Sequence, residues 1–171
     1  MGSLTPKQPR TSVLFNSPLE IGLRALAVLT DAYPHAYSLQ RLVILDYFLV
    51  HSDDLPGGPK GLHPKTPFRG AELLVRRRVL QEGLTLYQSR GLIEQQYTLE
   101  GVRFAATERS SSFLDVLLAE YVGGLRKRAA WLVESFGGLS DQEVARVGHE
   151  NVDTWDAEFA MASVLWEGED E

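Results

Sequence analysis

Two short, strongly apolar helical segments near the start of the chain constrain its fold most. The first begins at Ser17-Pro18, where serine can cap a helix and Glu20 completes a capping box. It ends at Tyr33-Pro34, because a residue that precedes proline disfavours the helical conformation. The second runs from Leu39 to about His51 after the cap Ser38. Both are apolar on most sides, so they cannot cover one another and a third layer or a partner must help.

Helical-wheel positions predict which side chains of these helices are covered. The first helix has one narrow stripe that is not strongly apolar, formed by Glu20, Arg24, Ala27 and Asp31. A third helix is predicted from about Gly70 to Arg90, with apolar stripes formed by Leu73, Leu80, Leu84 and Tyr87 and by Val75, Val79 and Leu86. Arg76 lies between these stripes, four residues after Glu72, so we expect it to be paired and partly covered. Arg77 and Arg78 should face solvent.

A hairpin pattern follows the third helix. Gly91 stops the helix, LIEQQY and VRFAA are strand-like, and TLEG between them supplies the turn. Three helices and then a two-stranded ribbon are the order of a winged-helix domain. Three further helices are predicted, over residues 112–122 up to Gly123-Gly124, over 125–136 up to Gly137-Gly138, and from a capping box at Ser140.

The predicted fold is therefore mainly α: a winged-helix-like domain of three helices plus a two-stranded wing, with additional C-terminal helices. We expect this single domain to cover residues 15–150, after a disordered lead-in over 1–14 and before an acidic tail over 151–171. Eight of the 23 acidic residues lie from Glu150 onward, where Lys and Arg are absent, so residues 1–149 carry 17 positive and 15 negative charges. The body is thus nearly neutral, and the overall charge of −6 says little about what it binds.

Several classes of protein are disfavoured by composition. The chain has no cysteine, which excludes disulfides, thiolate nucleophiles and cysteine-ligated metals. Its longest apolar run, LVILDYFLV, is too short to cross a bilayer, and the first ten residues lack the apolar core of a signal peptide. We expect a soluble, cytoplasmic protein that does not act at a membrane.

The turn-rich segment 51–69 holds the residues that most resemble a chemical site. Gly61-Leu62-His63-Pro64-Lys65-Thr66 ends like a phosphate-binding loop, but proline stands where that loop needs a glycine. His51, Asp53, Asp54 and His63 do not have the spacing of metal ligands. No nucleophile motif occurs near a histidine. We therefore predict no catalytic residue, no metal site and no cofactor.

A nucleic-acid surface is another interpretation of the basic residues. Cations that could share one side of a winged helix, and so contact phosphates, are Lys60, Lys65, Arg69, Arg77, Arg78, Arg103 and Arg109. A solvated helical face is the alternative, because Arg78 and Glu82 have ion-pair spacing and the body has little excess positive charge. Weak or shared DNA contact fits these residues better than independent operator recognition does.

The chain also resembles a known family. The resemblance is carried by FNSPLEIGLRALAVL, SLQRLVILDYFLVHSDD, LHPKTPFRGAELLVRRRVLQEGLTLYQSRGLIE, and FAATERSSSFLDVL with LRKRAAWL, in order from about residue 15 to residue 132. These blocks resemble the middle component of bacterial ABC three-component (ABC-3C) systems, a broad class that includes Lamassu-type anti-phage defence. The most specific block is LHPKTPFR with LVRR.

The resemblance implies a non-catalytic subunit of a hetero-oligomer, which joins an SMC/Rad50-like ATPase to an effector that is often a nuclease. It points to the loop over 52–69 and the arginine-bearing helix as a partner-docking surface, with the binding residues His63, Pro64, Phe68, Arg69, Glu72 and Arg76. DNA would be reached through the complex, with Lys60, Lys65, Arg77, Arg78, Arg103 and Arg109 as the contacting cations. A free-standing winged-helix transcription regulator stays open as the alternative.

Overall fold

A computed structural model describes residues 17–63 and 71–151, with side chains from residue 75 onward in the second range. The predicted lead-in over 1–14 and most of the predicted acidic tail lie outside the described residues. The elements, in chain order, are α1 (Pro18–Ala32), β1 (Tyr37–Ser38), α2 (Leu39–Val50), α3 (Ala71–Ser89), β2 (Ile93–Thr98), β3 (Gly101–Ala106), α4 (Ser110–Asp115), α5 (Glu120–Phe136) and α6 (Asp141–Asn151). A short 3-10 turn, Ser52–Asp54, follows α2.

Serine side chains cap three of these helices as the sequence predicts. The Ser17 hydroxyl accepts a hydrogen bond from the Glu20 amide at 3.3 Å, and Pro18 occupies the first turn of α1. The Ser38 hydroxyl accepts from the Arg41 amide at 3.2 Å at the start of α2. At α6 the capping box is complete, because Ser140 and Glu143 each accept a hydrogen bond from the other's backbone amide.

The sheet contains one strand more than the predicted ribbon. β2 and β3 pair in antiparallel register from Ile93↔Ala106 to Thr98↔Gly101, and β1 adds to β3 through Tyr37↔Phe104, in the order β1-β3-β2. β1 has only two residues, which is too short for a periodic pattern to reveal it in the sequence. The mainly helical, winged-helix-like fold is confirmed.

The prediction that a helix ends at Gly123-Gly124 is wrong. α5 runs through both glycines, with Val122 and Leu125 buried on either side of them. Two glycines weaken a helix by only about 1 kcal/mol each, which this burial offsets. The preceding helix is correspondingly short, since α4 covers only Ser110–Asp115. At Gly124 an added Cβ would lie 3.3 Å from Leu62 Cδ2, so glycine allows the loop after α2 to approach α5.

α1 and α3 cross at two glycines. A Cβ on Gly83 would lie 2.6 Å from the Pro18 carbonyl oxygen and 2.8 Å from the Gly22 backbone nitrogen. A Cβ on Gly22 would meet the Tyr87 ring at 2.5 Å. The crossing therefore brings helix backbones into contact, and the Tyr87 hydroxyl adds a hydrogen bond to the Leu19 carbonyl oxygen at 3.0 Å. This close packing places α3 directly over the core formed by α1 and α2.

Arg41 joins the corner between α5 and α6 to the start of α2. Its guanidinium donates to the carbonyl oxygens of Phe136 at 2.5 Å and Leu139 at 2.7 Å, and to the Asp141 carboxylate at 3.2 Å. The carbonyl groups at the end of a helix lack partners within the helix, and a cation there also complements the helix dipole. The Ser38 hydroxyl donates to Asp141 as well, at 2.8 Å. These contacts attach the corner between α5 and α6 to the start of α2.

Candidate functional site: a buried charge cluster beneath the loop

Asp46 lies at the centre of α2, where every residue from Arg41 to Val50 is buried. Two arginines hold its carboxylate. Arg24 of α1 binds both oxygens, with Nε 2.6 Å from Oδ1 and Nη2 3.0 Å from Oδ2. Arg76 of α3 binds Oδ2 through Nη1, and its guanidinium lies 5.6 Å from the centre of the Tyr47 ring. The three side chains are almost fully buried, so one carboxylate ties three helices together.

The surroundings of this trio favour the charged forms of Asp46 and Arg24. Burial raises the pKa of Asp46, but the charges and hydrogen bonds of Arg24 and Arg76 outweigh that effect and leave the pKa below its ordinary value. Burial lowers the pKa of Arg24, but its interactions with Asp46 and Tyr121 together outweigh burial, so this pKa lies above its ordinary value. The trio therefore places two positive charges and one negative charge in the interior. Such an arrangement is tolerated only when each charge has close partners.

The loop after α2 is attached to this trio through His63. The Nε2 atom of His63 lies 2.7 Å from the Tyr121 hydroxyl oxygen, and the two rings are stacked with centroids 6.1 Å apart. The Tyr121 hydroxyl is in turn hydrogen-bonded to Arg24. Because a guanidinium can only donate, the hydroxyl accepts from Arg24 and has its own proton to give to His63. His63 Nε2 is then an acceptor, as it is in a neutral imidazole.

The electrostatics agree with a neutral His63. Burial, followed by the nearby charge of Arg24, lowers the pKa of His63 from 6.5 to about 4. The ring of buried His51 lies edge-on to it at 6.4 Å between centroids and 4.8 Å from the Tyr47 ring. The Tyr47 hydroxyl donates to Asp54 at 2.7 Å, which gives this aspartate a partner just past the end of α2. The polar groups of the loop thus continue the network that begins at Asp46.

Backbone contacts hold the rest of the loop in place. The amides of Leu62 and His63 both donate to the Val50 carbonyl oxygen, at 2.9 and 3.1 Å. The Arg128 guanidinium of α5 donates twice to the Lys60 carbonyl oxygen, at 2.9 and 2.5 Å. The described part of the loop is therefore a fixed shelf between the end of α2 and α5.

We use the term buried charge cluster for Arg24, Asp46, Arg76, Tyr121 and His63. Two of the predicted partner-binding residues, His63 and Arg76, belong to this cluster. His63 is half-buried in the cluster, and Arg76 is buried, so Arg76 can influence a partner only through the fold. Its covered position between the apolar stripes agrees with the wheel prediction, and its partner in the structure is Asp46. The side chain of Glu72 lies outside the described residues, as do Pro64, Phe68 and Arg69.

The predicted nucleic-acid contacts lie on different elements. Exposed Lys60 is in the loop, where its carbonyl oxygen is bound by Arg128. Half-buried Arg77 and exposed Arg78 are in the N-terminal half of α3, and Arg78 is 3.7 Å from Glu82. Arg103 and Arg109 follow the C-terminal end of α3. The Arg103 guanidinium is engaged with Glu100 at 2.8 Å and Asp141 at 3.6 Å, whereas Arg109 lines an open concavity together with Glu94 and Glu108. Lys65, like Arg69, lies outside the described residues.

Sequence reasoning missed two members of the cluster. Arg24 stands in the narrow stripe of α1, which gave no sign that it is fully buried. Tyr121 drew no attention because the helix was expected to end two residues later. The sequence did hold a sign of the pair between Arg24 and Asp46. A lone aspartate inside an apolar helix requires a cation, and Arg24 lies at the middle of the other apolar helix. Spacing alone cannot match Arg24 to Asp46, because 22 positions separate them.

Within residues 17–63 and 71–151, no group of three or more His, Asp or Glu side chains is arranged to hold a metal ion. In the same part of the chain, no helix combines the length and apolar character needed to span a bilayer.

The fold and the cluster define a mainly helical, winged-helix-like protein whose interior polar groups hold its own helices and loop together. Residues 14–158 match the family model of the ABC-three component (ABC-3C) system Middle Component 2. The match spans most of the chain, and the chain belongs to this family. The resemblance to ABC-3C middle components is thereby confirmed, and the family name makes the chain one component of a multi-component system. No curated protein and no solved structure matches it.

Proposed function

We propose that this protein is a non-catalytic accessory subunit that bridges an SMC/Rad50-like ATPase and an effector, often a nuclease. The complex would act in bacterial anti-phage or anti-plasmid defence, in the manner of Lamassu-type systems, and the subunit would work in the cytoplasm without a cofactor. The family match over residues 14–158 carries the proposal, because it makes the chain the middle one of three components. A middle component that contacts both others is the simplest use of such a subunit.

The buried charge cluster supports a non-catalytic role. General acid–base or nucleophilic chemistry needs its side chains open to a substrate. Here Asp46 is held by two arginines, and His63 and Tyr121 are hydrogen-bonded to one another. These groups instead fix the loop shelf relative to α1, α2 and α3. A rigid shelf suits docking, because a partner that binds it orders few additional side chains.

We propose a docking surface above the buried charge cluster. It consists of the loop over 52–69 and the first turns of α3. Exposed Lys60 and Arg78 border its described part. Pro64, Phe68, Arg69 and Glu72 would complete it. His63 and Arg76 would act beneath it, as residues that position the shelf.

A free-standing transcription regulator is the second candidate, since winged helices commonly bind DNA. The wing argues against it. Arg103, the cation on the wing strands, is directed to Glu100 and Asp141, whereas the apolar side chains of Tyr97 and Leu99 on the wing are exposed. An apolar wing with an engaged cation is better suited to a protein than to phosphates. We therefore expect any DNA contact to be shared with the other subunits.

Co-expression of the tagged chain with the products of its neighbouring genes tests the proposal. We expect the ATPase and the effector to co-purify with the tagged chain, and we expect the purified chain to show no nucleotide hydrolysis and no nuclease activity. A sequence-specific footprint from the isolated protein on an inverted repeat, without co-purification, would favour the regulator. Turnover by the isolated chain that a point substitution abolishes would contradict the non-catalytic role.

The shared DNA contact has its own test. Charge reversal of Arg77, Arg78 and Arg103 in the assembled complex should weaken DNA binding and make its dependence on salt concentration shallower. An unchanged salt slope would exclude these three residues as phosphate contacts.

A further inference from the structure

The two faces of the wing differ in chemistry. Residues directly opposite one another in β2 and β3 share a face, so Ile93 with Ala106, Gln95 with Phe104 and Tyr97 with Val102 form one row. This row is buried at Ile93 and Ala106 and becomes exposed toward the tip, where Val102 is 39% and Tyr97 82% exposed. Leu99, in the turn, is fully exposed. Beyond exposed Gln95, this row therefore ends in apolar side chains that the core does not cover.

The opposite face of the wing is polar and internally paired. Gln96 donates to Glu94 at 2.9 Å, and Arg103 is bound to Glu100 and to Asp141 of α6. Glu100, at the tip, has a side chain that is 78% exposed. The tip thus presents three apolar side chains beside Glu100, and the two carboxylates of the wing strands and turn, Glu94 and Glu100, outnumber their one arginine, Arg103.

The wing and the loop shelf are attached to opposite ends of α2. Arg103 of the wing pairs in register with Ser38 at the start of α2, whereas the amides of Leu62 and His63 bind the Val50 carbonyl oxygen at its end. At 1.5 Å per residue these attachment points are roughly 18 Å apart. This separation suits a bridging subunit, because it keeps the two surfaces apart.

The size of the apolar tip indicates what can cover it. Three such side chains expose an area on the order of a few hundred Å2, whereas a stable association buries about 800 Å2 on each partner. A second copy that met the tip through the same small patch would be held too weakly. A few apolar side chains contribute strongly when they enter a pocket that excludes water. The geometry therefore fits an anchor inserted into a concave site.

We propose that Tyr97, Leu99 and Val102 form a docking anchor that enters an apolar pocket with a basic rim on another protein subunit of the system. The basic rim complements the net negative charge of the wing. This assignment rests on the proposed bridging function and adds a second docking surface, on the wing.

The test uses the full-length chain and the purified ATPase and effector subunits, with binding of each subunit measured separately. The variants are Leu99→Glu and Tyr97→Ala, and the matched control is Leu118→Glu, at a leucine that is 90% exposed in the segment between α4 and α5. Each wing variant should weaken binding to one subunit on the order of 30-fold and leave binding to the other unchanged. The control should bind both subunits as the wild type does. All three should keep the wild-type melting temperature, because the changed side chains are exposed.

Other outcomes of this experiment would contradict the docking anchor. Wild-type binding of both subunits by both wing variants would overturn the anchor and leave the bridging function intact. Loss of self-association in sedimentation, or loss of DNA binding alone, would overturn it in favour of a second copy or nucleic acid. If the wild-type chain binds neither subunit, the bridging function and the anchor both fail.

Discussion

The guanidinium of Arg24 in α1 binds both carboxylate oxygens of Asp46 in α2, with Nε 2.6 Å from Oδ1 and Nη2 3.0 Å from Oδ2. This bidentate pair lies in the centre of the domain, and Arg76 of α3 completes it. Its geometry sets the relative position of the three helices on which the loop shelf rests. The folding energetics and the proposed docking surface therefore depend on the same few charges.

Asp46→Asn should be strongly destabilising. The substitution leaves the guanidinium groups of Arg24 and Arg76 buried without their anion, and breaking a buried pair in this way costs roughly 3–5 kcal/mol. Asp115→Asn is the matched control, because Asp115 forms a partly exposed pair with Arg126 at 2.7 Å. That change should cost less than about 1 kcal/mol. If urea unfolding shows that the two variants lose the same free energy of unfolding, the buried charge cluster stabilises the fold no more than a surface ion pair does.

Arg76 and Arg78 should differ in the size and salt dependence of their effects. Arg76→Ala strands the Asp46 carboxylate beside a single remaining arginine, at a cost of about 3 kcal/mol or more. Arg78→Ala removes an exposed cation 3.7 Å from Glu82 and should cost under about 0.5 kcal/mol. Salt should change the first effect little, because screening acts poorly on covered charges. Urea unfolding at low and high salt measures the free energy of unfolding of both variants. A larger loss of unfolding free energy for Arg78→Ala than for Arg76→Ala would contradict the assignment of Arg76 as buried and Arg78 as exposed.

Stability should fall as the pH decreases from about 6.5 to about 4. His63 has a pKa near 6.5 when unfolded and about 4 in the fold, so the unfolded chain binds the extra proton in this range. The pKa of Asp46 is lowered, so its contribution is lost only below its ordinary value of 3.8. The two effects therefore occupy different pH ranges.

Melting temperatures of the wild type and His63→Gln between pH 7.5 and 4.5 test this dependence. The decline should be smaller in the variant, whereas His35→Gln, at an exposed histidine, should keep the wild-type profile. A decline of the same size in the wild type and in His63→Gln would mean that other groups cause it.

Two glycines should respond in opposite directions to alanine. At Gly83 the added Cβ meets the Pro18 carbonyl oxygen at 2.6 Å and the Gly22 Cα at 2.9 Å, so α1 and α3 must separate. Such overpacking costs typically about 1–3 kcal/mol. At Gly123, inside α5, the Cβ would meet nothing within 4 Å, and alanine should stabilise the helix by up to about 1 kcal/mol. Destabilisation of similar size in both variants would contradict the packing described for the crossing.

The sequence predicts local structure well where the signal is chemical and short-range. Helix caps, helix ends and turns depend on a few adjacent residues. The structure confirms the predicted caps at Ser17, Ser38 and Ser140, the helix end at Tyr33-Pro34 and the hairpin turn. Gly123-Gly124 misled the prediction because helix propensity is weak compared with the burial of neighbouring residues.

The buried charge cluster could be predicted only in part. The spacing of the apolar stripes indicated that Arg76 is covered, because the helical period is fixed. Its partner Asp46 lies 30 residues away, and the hydrogen bond from Tyr121 to His63 spans 58. Contacts of that range depend on how the helices pack, which periodicity in a single sequence does not encode. A lone aspartate within LVILDYFLV was the one sequence sign that such a partner must exist.

The most direct test of the bridging function is a three-protein binding experiment. The tagged effector subunit is immobilised, and the ATPase subunit is added with and without this chain. We expect the ATPase to be retained only when the chain is present. We also expect Leu99→Glu, which leaves the loop shelf unchanged, to reduce this retention strongly. Retention of the ATPase by the effector alone, to the same extent as with the chain, would contradict the bridging role.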